Sequence, residues 1–183
     1  MVAAFFMGVR DTSFRMESGK FESAEEELAY AKDEWSNLYA MLYYYLAKEF
    51  ALLGEEGEKA LRRGIRSYGE ARGARLRRRH EEMELPITME TLFKNYDLPG
   101  DSVSRRRQVK LTEDERESYT LVCLLEKIWT QEGGEEGDRL GSIYCDEFHQ
   151  AMWGAYKEGT VVELPELLTK ADPHCHFVVY KKE

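Results

Sequence analysis

The residues of this chain best suited to chemistry gather toward its end: all three cysteines, Cys123, Cys145 and Cys175, and three of the four histidines, His149, His174 and His176. Cys145 and His149 are four residues apart in a segment of helical character, so their side chains leave one face a turn apart. That spacing suits a nucleophilic thiol and its base, because a thiol attacks well only after a neighbour takes its proton. Asp146 and Glu147 oppose a thiolate there, whereas a protonated His149 favours one. After Pro173 the pleat period puts His174, His176 and Val178 on one side and Cys175, Phe177 and Val179 on the other. Cys175 is therefore expected in the core, away from His176. Cys123, in a β-rich run, reads as a small buried hydrophobe.

Cys123, Cys145, His149 and Cys175 are also suited to zinc. No C-x-x-C knuckle is present, so such a site would have to converge through the fold. No cofactor is favoured on this reading, and zinc is the alternative. The Gly133-Gly134 stretch has no following Lys-Ser or Lys-Thr and reads as a plain turn.

These residues need a scaffold, and 183 residues with 43% hydrophobic and 33% charged side chains suffice for one globular domain. The expected class is α+β: long N-terminal helices packed on a small, mostly antiparallel C-terminal sheet with a cysteine-bearing helix. Within a single domain spanning 1–183, residues 1–21 form an extension, 22–97 a helical layer and 104–183 an α/β segment carrying the cysteines. Residues 22–53 read as one helix with an apolar stripe through Leu28, Trp35, Leu38, Leu42, Tyr45 and Leu46, capped by Ser23 and Glu26 and stopped at Gly54.

A second helix runs from 55 into the low eighties on Ala60, Leu61, Ile65, Tyr68 and Leu76. Gly64, Gly69 and Gly73 inside it call for close helix packing, because each costs ~1 kcal/mol relative to alanine. Residues 87–96 suggest a short helix. Residues 108–111 and 119–124 suggest a hairpin across 112–118, with Arg105 to Arg107 in the loop before it. Helices at 125–132 and 140–156, a flexible link at 133–137 and a strand at 174–180 complete the chain.

The net charge of −9 argues against nucleic-acid binding. Arg75 and Arg77 to Arg79 read as a solvated helix face with Glu81, Glu82 and Glu84. The run 2–7 is too short for a membrane span and lacks a basic lead, and three cysteines suit a reducing compartment, so a cytoplasmic protein without membrane attachment is expected. Tyr43 to Tyr45 cover several faces of the first helix and leave a pocket wall or a homodimer contact open.

The pieces, in their order and spacing, resemble the family of L-2-amino-thiazoline-4-carboxylic acid hydrolases. The resemblance covers roughly residues 38–177. It rests on the helix running from Gly54-Glu55-Glu56-Gly57 to Tyr68-Gly69-Glu70-Ala71-Arg72-Gly73, the Cys123 strand followed by Trp129, the Tyr144-Cys145-Asp146 helix, and the closing Asp172-Pro173-His174-Cys175-His176-Phe177. Similar sequences close on Gly-Asp-x-x-Cys-x-Phe, so Ala171 departs from the glycine, and they carry an acid about a turn after the helix cysteine, where this chain has His149. More faintly, the cysteine helix and final strand resemble vinyl-reductase-type sensor domains, which makes a small-molecule binding module with a thiol or zinc site the rival.

The resemblance implies a hydrolase that adds water to the amidine-type carbon of a small nitrogen and sulfur heterocycle and opens its ring, in amino-acid or specialised metabolism. Cys145 would attack with His149 as base, Asp172 or His174 would stabilise the protonated amidine, and Arg72 would hold a substrate carboxylate. Tyr68, Trp129 and Tyr144 would complete the substrate site, shared between both halves of the chain.

Overall fold

The structure is a computed structural model that describes residues 21–97 and 104–182. Two long helices come first, α1 (Ala24–Leu52) and α2 (Gly54–Glu82), joined through Leu53 alone. Ser23 caps α1 as its sequence requires, its Oγ accepting from the Glu26 amide at 3.1 Å, while Glu26 returns a carboxylate to the Glu22 amide. Gly54, at φ +68°, turns the chain into α2. A short helix, α3 (Met89–Lys94), is capped by Thr88.

The hairpin of β1 (Ser104–Leu111) and β2 (Glu115–Cys123) follows, then α4 (Leu124–Gly133), α5 (Glu135–Tyr156), β3 (Thr160–Glu166), a 3-10 turn at Leu168–Lys170, and β4 (Cys175–Lys181). The sheet is antiparallel throughout in the order β1-β2-β4-β3. The α+β class holds, with α5 between the sheet and α2.

Several boundaries move. The hairpin turn is shorter than expected, which places Arg105 to Arg107 inside β1 rather than in a loop. The link at 133–137 shrinks to Gly134, whose φ of +55° allows two helices to abut. Strand β3 was not expected at all. Its Glu163, Pro165 and Glu166 look like loop, and an edge position is where a sheet tolerates them.

The largest correction concerns α1. Leu28, Trp35, Leu38, Leu42, Tyr45 and Leu46 are all exposed, and the buried seam is Ser36, Ala40, Tyr44 and Ala47. Small residues there admit a close neighbour, and Trp129 donates its indole N–H to the Ala40 carbonyl at 3.0 Å. Gly69 and Gly73 confirm close packing: a Cβ on Gly73 would lie 2.0 Å from the Met152 carbonyl oxygen of α5, and one on Gly69 2.9 Å from that of Phe148. A Cβ on Gly64 would meet nothing within 4 Å among the described residues, so packing among them does not account for it. Among the described residues no helix is long and apolar enough to cross a membrane.

Candidate functional site

The face of the sheet turned toward α5 carries Ser104, Thr120, Cys123, Cys175 and Phe177, and above them α5 presents Cys145, Phe148 and His149. Between the layers lies a cavity of about 100 Å³. A water needs ~10–15 Å³ of such space, so the cavity takes several waters or one small ring. Its sides are closed by Trp35 and Tyr39 of α1, Arg72 of α2, Tyr96, and Leu125, Glu126 and Trp129 of α4.

Helix spacing and sheet register produce this convergence. Cys145 and His149 are one turn apart and reach the same space. Thr120 pairs with Cys175 across β2 and β4, and Ser104 with Cys123 across β1 and β2; the extra residue at Leu121, where the β1–β2 register shifts, lets Thr120 and Cys123 both face inward although they are three apart. All three thiols are unoxidised and meet at one cavity. Cys175, expected in the core, is buried and also lines this space, its Sγ receiving the Leu168 amide at 3.4 Å.

Electrostatics keep the thiols protonated. Burial pushes Cys145 well above the ordinary thiol range, and the neighbouring Cys123 and Cys175 push the same way. Burial likewise raises Cys175 to about 11. Cys123 ends β2 and stands at the N-terminus of α4, where the Glu126 and Leu125 amides and the Arg106 charge favour its thiolate, but burial outweighs them. His149 is pushed down to about 4 by burial, with Arg106, Arg116 and Arg72 adding to the effect.

His149 is therefore neutral at physiological pH. Its Nδ1 lies 3.0 Å from the Cys145 carbonyl, an acceptor, so Nδ1 carries the hydrogen and Nε2 keeps a free lone pair. No thiolate–imidazolium pair exists at rest. The arrangement is a neutral acid beside a neutral base.

The other expected site residues divide. Tyr144 lines the cavity with its hydroxyl 2.9 Å from that of Tyr39, and Trp129 offers only its ring, its N–H being taken by Ala40. Arg72 reaches the cavity wall, but Asp97 grips it twice, at 2.8 and 2.6 Å. Its charge is thus already answered. Tyr68 stacks on Phe148 at 5.6 Å and faces an outer groove instead of the cavity.

Asp172 and His174 are not among the lining residues. The Asp172 carboxylate accepts from the Leu167 amide at 2.8 Å and closes the turn before β4. His174 sits on the opposite sheet face, 2.7 Å from Glu166. Ala171 has φ +63°, a left-handed backbone of the kind that favours glycine.

Glu126, Arg106, Ser104 and Tyr39 line the cavity and escaped the sequence reading. Burial, then Asp138, pushes the Glu126 carboxyl up. Its signal was Cys123-x-x-Glu126 at a strand-to-helix junction. As for metal, the soft donors facing the cavity are Cys123, Cys145, Cys175 and His149, yet among the described residues no three His, Cys, Asp or Glu side chains are arranged to hold an ion.

No curated protein and no solved structure matches the chain. Residues 35–179 match the model of one family, described as L-2-amino-thiazoline-4-carboxylic acid hydrolase, and this span contains every cavity residue named above. The chain belongs to the L-2-amino-thiazoline-4-carboxylic acid hydrolase family.

Proposed function

We propose that this hydrolase-family chain opens a small amidine-containing heterocycle of the 2-amino-thiazoline-4-carboxylate type, with Cys145 as nucleophile and His149 as base. One observation carries the reading: a protonated thiol and a neutral imidazole, one helical turn apart, share a small cavity lined by aromatic rings. Because the thiol is protonated at rest, attack and deprotonation coincide. Sulfur bonds to the amidine carbon as its proton passes to Nε2 of His149.

The ring carbon–sulfur bond then breaks. The departing ring sulfur keeps the electron pair and takes the proton from Nε2, leaving the carbon attached to Cys145 as an isothiourea. Water next attacks that carbon, and one of its protons returns through Nε2 to the Cys145 sulfur as the carbon–sulfur bond cleaves. The second proton ends on nitrogen and the oxygen becomes a carbonyl, so one water is consumed and a carbamoyl group and a free thiol are formed. Glu126, whose carboxyl burial and Asp138 make more basic, faces the amidine from the cavity wall and in its ionised form supports the protonated amidine.

The test is thiol release from L-2-amino-thiazoline-4-carboxylate by the purified chain, with mass spectrometry of the protein during turnover. Release with wild type, loss with Cys145→Ala and an adduct on Cys145 are expected. A folded wild type that releases no thiol overturns the proposed substrate, and unchanged turnover by Cys145→Ala overturns the nucleophile.

A further inference from the structure

The charges around the cavity are not all paired. Arg72 is paired with Asp97, but Arg106, which also lines the cavity, has no ion-pair partner among the described residues. Arg116, only 3% exposed, has none either: its Nε donates to the Gln108 amide oxygen at 3.3 Å, and its guanidinium lies over the Phe93 ring at 4.0 Å. Burial, and after it the charge of Arg106, disfavours the charged form of Arg116, and neither guanidinium has a carboxylate among the described residues to answer it. For Arg116, buried without a carboxylate, that is costly and favours an anion nearby, whereas Arg106 is exposed while still lining the cavity.

A second, independent feature marks the same wall. Ser104 is buried and lines the cavity, and its hydroxyl has no hydrogen-bond partner among the described residues, an uncommon condition for a buried polar atom. Ser104 pairs with Cys123 and Arg106 with Thr120 in the β1–β2 register, so hydroxyl and guanidinium share the inward face of β1. Glu126 is the carboxylate among the lining residues, and it stands on α4 with Thr130 and Asp138 as its neighbours.

We propose that Ser104 and Arg106 form a carboxylate-binding subsite, which holds the acid group of an amino-acid-derived substrate at the β1 wall while its ring lies against Cys145 and His149. Arg106 supplies the charge and Ser104 a hydroxyl donor. Arg116 stands behind them as a fixed positive background. The role expected of Arg72 thus passes to an arginine in β1, because Arg72 is committed to Asp97. The assignment rests on the proposed hydrolase reading for what is bound, but not for the binding itself.

The experiment uses the saturated ring acid L-thiazolidine-4-carboxylate, which lacks the amidine carbon, and thiazolidine, which lacks the carboxylate. Binding is read by calorimetry, supported by fluorescence of Trp35 and Trp129 in the cavity wall. The wild type is expected to prefer the acid by about 10- to 100-fold, the range set by charge-assisted hydrogen bonds. Arg106→Gln should remove most of that preference, Arg106→Lys should keep part of it, and Ser104→Ala should weaken it several-fold, all with unchanged circular dichroism.

Equal affinity for both ring compounds, or an Arg106→Gln protein that still prefers the acid, overturns the subsite. Carboxylate-dependent binding lost in Arg106→Gln, in a wild type that hydrolyses nothing, supports the subsite and counts against the hydrolase reading instead. Turnover as fast on the carboxamide of the thiazoline as on its acid counts against the subsite alone.

Discussion

The two faces of the small sheet are built from the same strands and hold similar side chains, yet only one has a chemical environment. On the outer face Tyr119 stacks on His176 at 4.4 Å and meets His174 edge-on at 4.8 Å, while Glu117 and Glu166 each take one imidazole, at 3.1 and 2.7 Å. Water screens these pairs, and partly exposed ion pairs contribute little. On the inner face, under α5, the thiols and His149 lose their hydration. Burial then decides every protonation state there. A residue type alone does not make a site: the same imidazole is held by a carboxylate outside and is a free base inside.

The strongest way to break this contrast is to remove one histidine from each face. His149→Ala should lower turnover by about 10²- to 10⁴-fold, the usual contribution of a positioned base. His174→Ala and His176→Ala should change turnover by no more than about twofold and stability by roughly 0.5 kcal/mol. Thiol-release assays on proteins with matched circular dichroism check this. A large loss from His174→Ala with none from His149→Ala would reverse the assignment of the faces.

Acid sharpens the contrast. His149 has its folded value lowered to about 4 from an ordinary 6.5. Between these values the unfolded chain binds a proton that the folded chain refuses. Its contribution is therefore fully present above pH 6.5 and is lost as pH falls through that value toward 4, by up to about 3 kcal/mol. Denaturant midpoints from pH 7 to 4 should fall more steeply for wild type than for His149→Phe. Parallel curves would mean that the imidazole is not held neutral.

The thiols give a smaller, kinetic version of the same difference. Each is raised by burial, so native protein at pH 7.5 should react with a thiol reagent at least about tenfold more slowly than free cysteine. All three should react once the chain is unfolded. A fast equivalent in the native protein, mapped by mass spectrometry, would identify a thiolate and displace the protonated-thiol mechanism.

How much of this was legible in the sequence depends on whether a local period or a distant partner decides. The helix through Cys145 and His149, the Ser23 cap and the alternation in β4 are local, and they appear as read. Glycine packing at Gly69 and Gly73 was legible too, since few other causes repeat glycine along a helix. The α1 seam was not, because large apolar residues lie on the exposed side of α1 while Ala40 and Ala47 face the core. Arg105 to Arg107 concealed which arginine turns inward, a choice made by pairing with β2 and by the register shift between Arg105 and Arg106. Arg72 looked available because its partner Asp97 lies 25 residues away.

The smallest expected effect lies at the turn that sends alternate residues of β4 to opposite faces. Ala171 holds φ +63° just before Asp172, whose carboxylate locks the Leu167 amide. A side chain in this left-handed conformation costs roughly 1 kcal/mol, from which the greater flexibility of an unfolded glycine subtracts. Ala171→Gly should therefore stabilise the chain by about 0.5 kcal/mol, read as a raised denaturant midpoint with an unchanged slope. Turnover should be unaltered, because β4 keeps its register and Cys175 still faces the cavity. A destabilised Ala171→Gly protein would show that the turn is held by something other than backbone conformation, and that the aim of the two faces is set elsewhere in β4.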